Sequence, residues 1–148
     1  MKSKVAHLVR RFIEMGRPVL SEREDDNYAA TILSDAEMGL WRRLNPVDRR
    51  HSVGVTRRFV LTCPHATRDE IAAALLHDVG KSATELGRIG RSVATLWPIT
   101  RKMMIYRDHE RLGGRMLAEV GANPRTIELV SGSCVDEIAR AIRAADDQ

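Results

Sequence analysis

Apolar side chains recur at helical spacing along most of this chain. Val5, Leu8, Val9, Phe12 and Ile13 form a stripe with a period near 3.6, which predicts a helix over residues 3–15, closed by Gly16 and Pro18. Between residues 17 and 33 the stripe fades. The charge run Glu22-Arg23-Glu24-Asp25-Asp26-Asn27 reads as a solvated loop, and residues 28–33 as irregular or a short extra element.

Helix punctuation is dense from residue 34 onward. Ser34-Asp35-Ala36-Glu37 fits a capping box, in which the serine hydroxyl and the glutamate each satisfy a backbone N–H at the helix start. It opens a short helix through Leu40, Trp41 and Leu44. Asn45-Pro46 supplies a cap and a proline at the first helical position, so a helix should run through His51, Val55 and Phe59 and stop before Pro64. Thr67-Arg68-Asp69-Glu70 is a second capping box, for a helix from Arg68 to about Asp78 with Gly80 as a left-handed stop. Residues 82–104 read as a helical stretch interrupted near Gly87, Gly90 and Pro98, followed by a helix from about Arg107 to Val120 that ends at Gly121. Asn123-Pro124 starts another helix, through Ile127 and Val130, which Gly132 breaks. The last helix is expected from about Cys134 to Ala145, with Val135, Ile138, Ala139 and Ile142 on one side. No run alternates with period 2 between turn signals, and no internal repeat is visible. The pattern predicts an all-α fold, a compact single-domain helical bundle of about six to eight helices.

Composition narrows the class. A chain of 148 residues makes one domain and can bury a core without staples. The longest purely apolar run, residues 71–76, is far shorter than the roughly 20 residues that cross a bilayer. The apolar stretch near the start is interrupted by Arg10-Arg11 too soon for a signal peptide, so a cytoplasmic protein with no membrane partner is expected. Cys63 and Cys134 form no C-x-x-C pair and read as small core or surface residues. A net charge of +4 favours phosphate-bearing ligands. The basic residues are scattered and aromatics are only 4%, which argues against a nucleic-acid partner, because neither a basic stripe nor a stacking platform is present. Trp41 and Trp97 read as core, Met103-Met104 as gap-filling packing, and His7 and His65 as ordinary surface residues.

Candidate chemistry centres on Leu75-Leu76-His77-Asp78-Val79-Gly80-Lys81. An imidazole and a carboxylate side by side at a helix end can hold a divalent ion, and such an ion can make water nucleophilic at neutral pH. A carboxylate at a helix C-terminus is electrostatically unwelcome, and a bound cation would offset that cost. Imidazole and carboxylate ligands suit Fe, Mn, Co, Ni, Mg or Zn.

His51, then His77-Asp78, then Asp146 resembles the H…HD…D pattern of the HD-domain metal-dependent phosphohydrolase superfamily, and His77-Asp78-Val79-Gly80-Lys81 is similar to its His-Asp-Ile-Gly-Lys variant. His109-Glu110-Arg111-Leu112-Gly113 looks like the family's His-x-x-x-Gly motif. The resemblance covers residues 34–147 and leaves residues 1–33 outside, as an N-terminal helix and charged loop. It implies an HD-domain-like bundle with His51, His77, Asp78 and Asp146 as ligands of one divalent metal and His109 as a ligand of a second. It implies Asp78, Lys81 and His109 as catalytic groups, with Lys81 touching phosphate. Asp146 fits the family's Ala-Asp ending better than Asp147, one residue and about 100° further round the helix. The implied activity is metal-dependent phosphohydrolysis of a nucleotide or another small phosphate ester. Three features depart from the family. Residues 130–134 lack the His-His pair of two-metal relatives, no Gly-Tyr-Pro follows the His-Asp pair, and the Glu-Asp signature of stringent-response nucleotide hydrolases is missing. The alternative is a catalytically silent HD-like module that binds a ligand or a protein partner.

Overall fold

The computed structural model describes residues 20–86 and 98–148. Within them the helices are α1 (Leu20–Ala30), α2 (Asp35–Trp41), α3 (Pro46–Thr62), α4 (Arg68–Leu76), α5 (Lys81–Leu86), α6 (Pro98–Glu119), α7 (Pro124–Val130) and α8 (Glu137–Asp146). No strand occurs among the described residues, and the fold is all-α as expected. The helix expected over residues 3–15, and Trp97, lie outside the described residues.

The caps act as their sequences predict. Ser34 and Thr67 each complete a capping box with Glu37 and Glu70, and the Asn45 and Asn123 side chains each accept a hydrogen bond from the backbone of the first turn. Gly121 and Gly132 adopt φ of 70° and 68°, so each ends its helix in the left-handed region.

Helix α4 is the centre of the bundle. Ala72 through Leu76 are all buried, and α4 packs against α3 on one side and α7 on the other. Small side chains at Ala72, Ala73 and Ala74 let these neighbours approach closely. Helix α3 also carries α1 and α8, and Trp41, Leu44, Val55 and Phe59 fill the space around it. A helix buried on several faces needs no single apolar stripe, since its neighbours supply most of its stability.

Four expectations are corrected. The charge run near residues 22–27 is not a loop but most of α1. That helix is held by charge rather than by an apolar stripe. Asp26 accepts hydrogen bonds from Trp41 Nε1 at 2.8 Å and Arg49 Nη1 at 3.1 Å, and Asp25 pairs with Arg50. Gly80 is not left-handed, and α4 stops at Leu76 with His77 as its C-cap. Pro98 does not interrupt a helix; it opens α6, which runs unbroken to Glu119 instead of starting near residue 107. The last helix begins at Glu137, because the Asp136 carboxylate caps Ala139 N–H at 2.9 Å, and this leaves Val135 71% exposed instead of packed.

Gly80 has a different task. A Cβ there would collide with the backbone carbonyl of His109 and lie 2.8 Å from the amide nitrogen of Gly113. The turn after His77-Asp78 therefore presses directly on the backbone of α6, and the glycine of the His-x-x-x-Gly segment is the facing surface. Replacing Gly80 by Ala pushes two backbones apart and should destabilise the fold by about 1–3 kcal/mol. Chemical denaturation of G80A checks this, and a midpoint equal to the parent's would mean the contact is not tight.

Candidate metal centre

Three helix segments place the site. His51 projects from α3 just over a turn after the Asn45-Pro46 cap. His77 and Asp78 follow the last turn of α4. Asp146 is the final residue of α8. The structure brings all four together. His51 Nε2 donates to Asp146 Oδ1 at 2.7 Å, and His77 Nε2 lies 3.5 Å from that same oxygen and 3.5 Å from Asp78 Oδ2. The two imidazole rings are 5.7 Å apart between centroids.

One ligand atom each from His51, His77 and Asp78 lies within 4.8 Å of the others, comparable to the roughly 4 Å that separates opposite ligands around one ion at ~2.1 Å. His77 is already oriented for this. Its Nδ1–H donates to the Ala74 carbonyl at 2.8 Å, which turns Nε2 inward, and that buried Nε2 has no well-directed hydrogen-bond partner. With an inward nitrogen between two carboxylates, this group could hold a metal ion. The donors fit a divalent cation.

The helix turn separates Asp146 from Asp147. Asp147 is the exposed C-cap of α8, whereas Asp146 faces the two histidines. The end of α8 is tied down by Arg58 of α3, whose Nε–H donates to the Ala145 carbonyl at 2.8 Å, and by buried Ile142 and Ala145. Sequence reasoning missed Arg58, because its partner is 87 residues away and no local signal marks it.

Lys81 and His109 lie beside this cluster. Lys81 Nζ donates to Asp78 Oδ2 at 2.5 Å. His109 lines the same pocket, but it is not part of the tight three-residue group. The pocket has an apolar wall from Leu129, Val130 and Ile142 and a polar side that includes Glu110 and Arg143. Glu110 and Arg143 were also missed. Arg143 had a signal, since it lies three residues before Asp146 and so shares its helix face.

The electrostatics follow from burial. The hydrogen bond from His51, and then the His77 imidazole 3.5 Å away, hold the Asp146 carboxyl far below the usual carboxylate range. Burial alone would lower the His77 pKa, but Asp146 and Asp78 outweigh it and the imidazole is raised above 6.5. Burial, and then the charge of Lys81, lower His109. At neutral pH His109 is therefore a neutral base beside a cluster that attracts cations.

No family model, curated protein or solved structure matches this chain. Among the described residues no helix is long and apolar enough to cross a membrane.

Two outcomes are expected. In metal-free protein, the raised His77 contributes stability that is complete below pH 6.5 and is lost as pH rises through its folded value. The lowered Asp146 contributes stability that is complete above pH 3.8 and is lost on acidification. Thermal melts of chelator-treated protein should therefore peak in mildly acidic buffer, and Asp146→Asn should flatten both limbs; a melting point that climbs steadily from pH 6 to 9 would contradict the assignment. The second outcome concerns Arg58→Met, which leaves the Ala145 carbonyl without its donor at a cost of about 1 kcal/mol. Amide exchange should rise in α8 before it rises in α4, and equal protection of the two helices would count against the tether.

Proposed function

We propose that this chain is an HD-domain-like, metal-dependent phosphohydrolase that cleaves a small phosphate ester, with His51, His77, Asp78 and Asp146 around one divalent ion. The observation that carries the reading is the buried, inward Nε2 of His77, held by Ala74 and facing two carboxylates and a second imidazole. When bound, such an ion supplies Lewis-acid polarisation of a phosphoryl oxygen and a water that ionises near neutral pH.

The chain's own groups divide the remaining work. His109, which lines the pocket and whose pKa burial and Lys81 lower, is the group suited to accept the proton of the attacking water. Lys81 contributes a point charge beside Asp78, suited to a phosphoryl oxygen. Its ammonium already supplies the second positive charge on Asp78, and residues 130–134 carry no imidazole. Both features favour one ion, with His109 as a base rather than the ligand of a second metal. The apolar wall keeps bulk water away from one side of the pocket and strengthens every charge interaction there.

Protein purified without chelator should carry about one divalent ion per chain by elemental analysis. It should hydrolyse at least one member of a phosphoester panel supplied with Mn, Co, Ni or Mg. His77→Ala and Asp78→Ala should lose the ion and reduce turnover to that of the metal-free protein. Stoichiometric metal without any turnover would instead identify a silent HD-like binding module, and failure to bind any metal would remove both readings.

A further inference from the structure

We propose that Arg143 is the specificity residue of this pocket, an anion anchor that makes the site select phosphomonoesters over diesters; this rests on the metal-dependent reading above. Ala139, Ile142, Arg143 and Asp146 stand at helical spacing on α8, and all four line the pocket. The same helix face thus presents a metal-ligating carboxylate and, one turn earlier, a guanidinium. Arg143 is in the last turn of α8, where a cation also suits the helix dipole. Its side chain is half exposed and lies 3.9 Å from Glu110, too long for a hydrogen bond. The guanidinium is therefore held near the rim by charge alone and is available to an incoming anion. Lys81 Nζ, by contrast, is engaged by Asp78 at 2.5 Å.

Charge balance supports the choice of ligand. Lys81 and Arg143 face three carboxylates in the pocket, Asp78, Glu110 and Asp146, so a divalent ion shifts the lining toward positive charge and strengthens the binding of an anion. A monoester presents a dianionic phosphoryl group with three terminal oxygens, enough to meet the ion side, Lys81 and a two-pronged guanidinium together. A diester has a single negative charge and two terminal oxygens, so it can meet fewer of these groups at once. The structure thus assigns the terminal phosphate to the space between Asp146 and Arg143, with the leaving group against the wall of Leu129, Val130 and Ile142.

The test uses the full chain, loaded with Mn, and inorganic phosphate as the probe. Calorimetry should show phosphate binding to the loaded protein and none to the chelator-treated protein. Arg143→Gln should keep metal stoichiometry and affinity while weakening phosphate at least about tenfold, and Arg143→Lys should recover part of the loss. In turnover, p-nitrophenyl phosphate should be preferred to its bis-ester by the parent, and Arg143→Gln should collapse that ratio by lowering kcat/KM for the monoester alone. Unchanged phosphate affinity in Arg143→Gln, or a parent that prefers the diester, overturns the proposal while leaving the metal site intact. A parent that binds no metal instead removes the underlying reading. Because Arg143 is exposed, an unchanged melting temperature for both variants is expected, and it separates loss of binding from loss of fold.

Discussion

The Asp146 carboxylate is the point on which the arrangement turns. It accepts from His51 on α3 and sits 3.5 Å from His77 after α4, so one negative group joins the ends of three helices. A carboxylate this enclosed is stable only when its neighbours answer its charge. Here two imidazoles do so, and the low pKa of Asp146 records the result. The same oxygen that accepts from His51 is one that the proposed divalent ion would take, so the imidazole proton and a metal would compete for one place.

Around that hub the fold supplies rigidity by close backbone packing rather than by large side chains. The Gly80 turn meets the backbone of α6 at His109 and Gly113, and Gly114 approaches the Cβ of Ser131. These contacts seat His109 and the α6–α7 corner against the His-Asp turn. Arg58 does the corresponding work for α8 by gripping a carbonyl at its last turn. Between them, the glycine contacts and the arginine tether fix the positions of groups that lie in separate parts of the chain. The proposed hydrolysis would need that fixity, since small displacements of reacting groups cost orders of magnitude in rate.

Charge also builds the periphery. Asp25 and Asp26 bind Arg50 and Arg49, Glu37 is buried under Arg68, and Arg125 links Glu70 to Asp136. Asp136, capped onto Ala139 and paired with Arg125, is held down at about 2. These pairs bridge elements distant in sequence, and they explain why a chain of high charge content packs so many short helices. Half-exposed pairs of this kind contribute modestly to stability, so their main effect is to set which helix faces which.

The helix starts were legible from local sequence because a cap is a local event. Ser34, Asn45, Thr67 and Asn123 meet their partners within three residues, and no distant contact is needed to recognise them. The all-α class followed from the same signals, and the order of His51, His77-Asp78 and Asp146 marked the candidate ligands. Tertiary structure alone decided the rest. Helix α1 was hidden because its faces are chosen by Arg49, Arg50 and Trp41, not by an apolar period. Gly80 read from local sequence as a left-handed stop, and that reading failed because what requires glycine there, the carbonyl of His109, belongs to another helix. Arg58 became a structural candidate only when folding placed it against the Ala145 carbonyl, because a contact across 87 residues leaves no periodic trace in the chain that makes it.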